Sequence, residues 1–124
     1  MTAESITIIK VRDVLLVTLP AEPDDVTMNA LQEKLLQAME RCEAKGLVLD
    51  ISAVDTLDSF FARTLTESAR MLALMGARTI IAGMRPHVAI TAAQLGLGLD
   101  RVTTALDTDR ALDMLGSSRQ GRRS

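Results

Sequence analysis

The chain has 124 residues, 48% of them hydrophobic, which suits a single domain that buries roughly two-thirds of its unfolded surface without staples. A lone cysteine, Cys42, excludes an intramolecular disulfide and suits a reduced cytoplasm; with no signal-peptide layout and no apolar run near the ~20 residues of a membrane span, a soluble chain is expected. Net charge is −2, and without Arg119, Arg122 and Arg123 near the end, 11 basic residues face 16 acidic ones, so no basic face for nucleic acid is expected.

Residues 5–11 (SITIIKV) and 14–19 (VLLVTL) are short β-branched runs around Arg12-Asp13, the pattern of a β-hairpin. Pro20 and Pro23 then stop the second strand. Asp24-Asp25 suits a helix start, and Met28, Leu31, Leu35, Met39 and Cys42 recur at helical spacing over residues 26–42. Gly46 reads as the stop of that helix, with Lys45 near its negative end. Residues 47–51 (LVLDI) open on the continuous apolar run Leu47-Val48-Leu49, which predicts a central strand buried on both faces.

A second helix is expected over residues 58–75, with Asp58 and Ser59 in its first turn and Gly76 after its end. Residues 79–82 (TIIA) predict a fourth strand, and Pro86 opens a third helix over residues 87–95 that stops at Gly96. A short strand at residues 102–105 and a last helix at residues 109–115 follow, capped by Asp107 or Thr108 and closed by Gly116. The order is β-β-α-β-α-β-α-β-α, which implies βαβ units and a mostly parallel or mixed sheet. The domain is expected over residues 1–116, with a disordered basic tail at residues 117–124.

Enzyme chemistry finds little support. There is no Gly-rich phosphate loop with its lysine, and Gly96-Leu97-Gly98 follows a helix rather than a strand, so it reads as a helix stop. One histidine and one cysteine on different predicted helices make no metal site, and no cofactor is expected. His87 reads as a solvated side chain. Asp55 and Asp58, three residues apart, read as a cap and a dipole partner flanking one helix start. No histidine or lysine lies near Ser59 in sequence to make it a nucleophile, so two readings stay open for its hydroxyl: a helix cap or a phosphate acceptor.

On a helical wheel, Phe61, Leu65, Ser68, Leu72 and Met75 gather on one side, the expected sheet face. Ser59, Arg63, Thr66 and Arg70 share the opposite, polar ridge. Phe60, Glu67, Met71 and Leu74 lie between them. This last stripe either packs against a neighbouring helix or faces a partner. A phosphate on Ser59 would sit at the positive end of a helix, where the fold tolerates it, while adding bulk and charge beside Phe60.

With LVLDIS leading through a short loop to Asp58-Ser59, and with Gly83-Met84-Arg85-Pro86-His87-Val88-Ala89-Ile90-Thr91 opening the third helix, the chain resembles the STAS (anti-anti-sigma factor) domain family over residues 6–115. Within it, the Asp-Ser-Phe form is most similar to the small scaffold proteins of the bacterial stressosome. The resemblance implies an α/β fold, a mixed sheet of about five strands with helices mainly on one face. It also implies a non-enzymatic signalling scaffold that binds and sequesters a serine/threonine kinase of the histidine-kinase ATPase type. Ser59 matches the family's phosphorylated serine, with Asp55, Thr56, Asp58, Phe60, Arg63 and Met71 as motif and partner interface. A PP2C-type phosphatase, a sensor paralogue with a C-terminal STAS domain, a homodimer and a large hetero-oligomer are the implied partners and assemblies. Free anti-anti-sigma factors usually follow the serine with a small residue and glycine; Phe60-Phe61 departs from that and favours the scaffold branch. A free anti-anti-sigma factor antagonist, or a small ligand-binding α/β domain, are the competing readings.

Overall fold

The structure, a computed structural model, describes residues 6–96, 98 and 102–121, with residues 117–121 as backbone only. Its elements are β1 (Thr7–Val11), β2 (Val14–Thr18), α1 (Asp25–Cys42), β3 (Gly46–Asp50), α2 (Ser59–Leu74), β4 (Arg78–Ala82), α3 (Pro86–Leu95), β5 (Thr103–Ala105) and α4 (Thr108–Gly121). The expected order is therefore the observed one. The strands make one sheet in the order β1-β2-β3-β4-β5, with β1 antiparallel to β2 and the other pairs parallel. Arg12 turns the hairpin with a left-handed backbone, φ 57°, as two-residue hairpin turns demand of their first central residue.

Three successive crossovers, β2-α1-β3, β3-α2-β4 and β4-α3-β5, step the same way across the sheet. Right-handed crossovers of that kind place all three helices on one face. There Leu31 and Leu35 of α1 and Leu65 and Leu72 of α2 bury against Leu15, Val17, Leu47, Leu49 and Ile81, all at most 1% exposed. Val88 anchors α3 to the same cluster. Each such leucine contributes roughly 1.5–3 kcal/mol by leaving water. The other face is covered by α4, whose Ala111, Leu112 and Leu115 pack with Val48, Ile80 and Ala82.

Several local expectations need correction. The C-cap of α1 is Glu43, left-handed at φ 50°, whose N–H donates to the Met39 carbonyl at 2.9 Å. Gly46 is not that stop but the first residue of β3. A Cβ there would lie 2.9 Å from both Leu115 methyl carbons, so the glycine lets α4 approach the sheet. Gly116 does not end α4 either: it takes no left-handed φ, and the helix continues to Gly121, into the residues expected as tail. Ser5 and residues 122–124 lie outside the described residues.

Asp24 and Asp107 serve as helix caps. Asp24 Oδ1 accepts the Thr27 N–H at 2.8 Å, and Asp107 Oδ1 accepts the Arg110 N–H at 2.9 Å. The Thr27 backbone N–H holds the Asp24 carboxyl below its ordinary range. A carboxyl depressed in the folded state contributes stability that is fully present above the ordinary value of about 3.9 and is lost as pH falls through the folded value. Thermal melts of the parent and of Asp24→Asn, which caps without titrating, should therefore converge on acidification below about pH 4; a constant offset would refute the assignment. In the same way, Gly46→Val should cost about 1–3 kcal/mol by overpacking. Denaturant melts should show part of that loss recovered by Leu115→Ala.

Candidate functional site

β2, β3 and β4 end side by side, and their loops open at the carboxyl end of the parallel strands, where α/β sheets hold their chemistry. The Leu19 N–H donates to the Asp50 carbonyl at 3.1 Å and the Ile51 N–H to the Ala82 carbonyl at 3.0 Å, so the three loop origins are knit together. In the loop over residues 51–58 every third residue is buried. Ile51, Val54 and Leu57 plug into the core, while Ser52, Asp55, Thr56 and Asp58 stand exposed.

At the start of α2, Asp58 is the N-cap. Its backbone is extended and its Oδ1 accepts the Phe61 N–H at 2.7 Å. Ser59 is the first helical residue and is exposed. Among the described residues no protein group hydrogen-bonds its hydroxyl. The cap and the free hydroxyl are thus two different residues, and the cap reading of Ser59 falls.

Asp55 is not a dipole partner of α2. Its carboxylate pairs with the Arg85 guanidinium, its carbonyl accepts His87 Nε2–H at 2.9 Å, and its own N–H donates to the Ala21 carbonyl at 3.1 Å. Arg85 Nε also donates to the Ser52 carbonyl at 3.0 Å. His87 is exposed, as expected, yet its ring is engaged with this loop. These two partners lie 30 and 32 residues from Asp55, and no local pattern in the sequence pointed to them.

Along α2, Phe61, Leu65, Ser68 and Leu72 are buried as expected, and Ser68 Oγ donates to the Thr64 carbonyl at 2.7 Å. Met75 departs from the expected sheet face: it is the C-cap and is half-exposed. Phe60 and Met71 are half-buried, Phe60 against the main core, whereas Leu74 is 90% exposed. Arg63 is exposed and makes no ion pair with a described residue. Asp55, Thr56, Asp58, Ser59, Phe60 and Arg63 therefore form one corner, the loop and the first turns of α2. Met71 lies apart, roughly 18 Å along the axis at 1.5 Å per residue.

A cavity of about 620 Å³ lies elsewhere, between α2, β4 and β5, lined by Thr66, Arg70, Arg78, Thr79 and Thr103 among others. The buried Thr79 hydroxyl in its wall has no partner among the described residues. None of the residues at the Ser59 corner lines it. Among the described residues no helix is long and apolar enough to cross a membrane.

A model of the STAS domain family matches residues 5–111. RsbT co-antagonist protein RsbRB of Bacillus subtilis (strain 168) is 30% identical over 98 residues, 79% of this chain and 35% of that protein. The chain thus spans about a third of that relative's length. A serine-to-glutamate variant of RsbS from Moorella thermoacetica superposes with a TM-score of 0.82 at 34% identity, over 94% of this chain and 99% of that one. A chain from the structure of the stressosome, described as a signal integration and transduction hub, superposes with a TM-score of 0.80 at 36% identity, over 91% and 98%.

The division of labour at the helix start makes a direct prediction. Asp58→Ala should cost about 1 kcal/mol by orphaning the Phe61 N–H, whereas Asp58→Asn should stay within a few tenths of the parent. Urea denaturation of the three proteins checks it; equal losses in both variants would show that the cap hydrogen bond is not the relevant contact.

Proposed function

The chain belongs to the STAS domain family, and on that basis we propose that it is a non-enzymatic signalling scaffold of the stressosome type, regulated by phosphorylation of Ser59. The likeness to RsbS over nearly the whole of both chains supports the scaffold branch. The observation that carries the site is the free, exposed Ser59 hydroxyl at the first position of α2, beside a cap supplied by Asp58. A hydroxyl that no fold contact needs is open to an incoming kinase.

The physical effect of modification is asymmetric. A phosphate adds about −1.5 to −2 charges near neutral pH. At a helix N-terminus the macrodipole stabilises it by roughly 0.3–1 kcal/mol, so the fold keeps its shape. A partner docked on Phe60, Arg63 and the exposed edge of the loop meets new bulk and charge instead. On this reading the unmodified chain binds a serine/threonine kinase of the histidine-kinase ATPase type, phosphorylation releases it, and a PP2C-type phosphatase restores the bound form.

Assembly follows the relatives. The named role of RsbRB is RsbT co-antagonist, and a longer paralogue of that kind, with a C-terminal STAS domain, is the proposed co-assembling sensor. Homodimers would be the building unit of a large cytoplasmic hetero-oligomer. Phe60-Phe61 after the serine sets the chain apart from free anti-anti-sigma antagonists. Particle size in a mixture with the sensor paralogue separates the two, because a free antagonist stays small.

Incubation with the candidate kinase and ATP, followed by mass-spectrometric mapping, tests the assignment. Phosphate should appear on Ser59 and be absent from a folded Ser59→Ala variant; a phosphate mapped to Ser52 or Thr56 would overturn it. Ser59→Asp should remain within about 1 kcal/mol of the parent in stability and bind the kinase more weakly. Equal affinity for parent and variant would remove the switch.

A further inference from the structure

The contacts that hold the loop leading to Ser59 come mostly from outside it. Asp55 commits all of its polar groups to other elements: its N–H to Ala21, its carbonyl to His87 and its carboxylate to Arg85. Arg85 spans two points of the loop, with Nε on the Ser52 carbonyl at 3.0 Å and Nη1 on the Asp55 carboxylate. Behind it, the turn at Gly83 presses on the same loop. With φ +78° it brings the backbone so close that a Cβ would lie 2.9 Å from Ser52 Cβ. Asp55 stands three residues before the Asp58 cap, with Leu57 as the only buried side chain between. Asp55 therefore lies on the short stretch by which the chain enters α2 at Ser59.

We propose that Arg85 is a positioning residue for phosphorylation of Ser59, acting through Asp55 from the turn between β4 and α3. This rests on the reading of Ser59 as the phosphate acceptor. The guanidinium fork suits the task because two acceptors of different kinds, a carbonyl and a carboxylate, must be held at once, which a lysine ammonium on its flexible stem does poorly. Both partners of the ion pair are about half-exposed, 46% and 50%, and such pairs contribute little to global stability. What the clamp supplies is geometry. Phosphoryl transfer requires the attacking oxygen in line with the leaving group, and catalysis is mostly positioning, so a loop displaced by an ångström loses rate steeply.

The test uses the full chain with a purified serine/threonine kinase of the histidine-kinase ATPase type and ATP. It compares the parent, Arg85→Gln, Asp55→Asn and the double variant. Arg85→Gln should lower kcat/KM for Ser59 phosphorylation roughly tenfold or more, with a melting temperature close to the parent's. Backbone amides of residues 53–59 should exchange faster with deuterium while those of β3 and β4 do not change. In the Asp55→Asn background, Arg85→Gln should cost little more, since coupled residues are non-additive. Multiplying losses would show that Arg85 touches the kinase directly, and unchanged kinetics with unchanged exchange would show that the clamp positions nothing; either overturns the inference alone. Failure of the parent itself to be phosphorylated on Ser59 would instead overturn the functional reading, and the inference with it.

Discussion

Burial of β3 on both faces is the constraint on which the rest depends. With α1 and α2 on one side and α4 on the other, Gly46, Leu47, Val48 and Leu49 are closed to solvent. A strand in that position can carry only apolar side chains or none, because an unpaired polar group there would cost several kcal/mol. Chemistry is displaced to where the strand runs out. Asp50 is the first residue of β3 to reach partial exposure, and its Oδ1 already accepts the Ser52 N–H at 3.0 Å. The loop that follows inherits the task of bringing polar groups to the surface.

That loop solves two problems with neighbouring residues. A helix start leaves N–H groups to be satisfied, and a modifiable hydroxyl must not be the group that satisfies them. Asp58 takes the first role, which leaves the Ser59 hydroxyl open to the second on the proposed reading. A serine in the N-cap position would have made modification and helix stability interdependent. Separating the two by one residue makes the helix dipole available to a phosphate without disturbing the cap. In the proposed switch the cost of the added charge falls on the interface, and the domain remains a competent scaffold in either state.

The α2 surface shows the same separation. Its buried hydroxyls are satisfied within the helix, Thr64 Oγ1 on the Phe60 carbonyl at 2.8 Å and Ser68 Oγ on the Thr64 carbonyl. Leu65 and Leu72 hold it to the sheet, while Arg63, Glu67 and Leu74 face solvent. Phe60 belongs partly to both sides: half-buried against the core, it stands next to the serine and links the exposed corner to the packing beneath.

Periodicity and punctuation in the sequence determined the element order, the α/β class, the burial of Phe61, Leu65, Ser68 and Leu72, and the exposure of Ser59, because each follows from spacing along one segment. Residues 47–51 announced a central strand for the same reason, and the strand runs over Gly46–Asp50. Glycine was the less reliable sign. Gly46 and Gly116 looked like helix stops, but one is small because Leu115 packs against it and the other continues a helix; neither fact is visible without the partner element. The role of Asp55 was hidden likewise. Its spacing from Asp58 suggested a shared helix start, whereas its carboxylate and carbonyl are claimed by Arg85 and His87, some thirty residues on. A local pattern records which face a residue occupies. Which distant group meets it there depends on how the crossovers bring β3 and β4 together, and only the tertiary structure decides that.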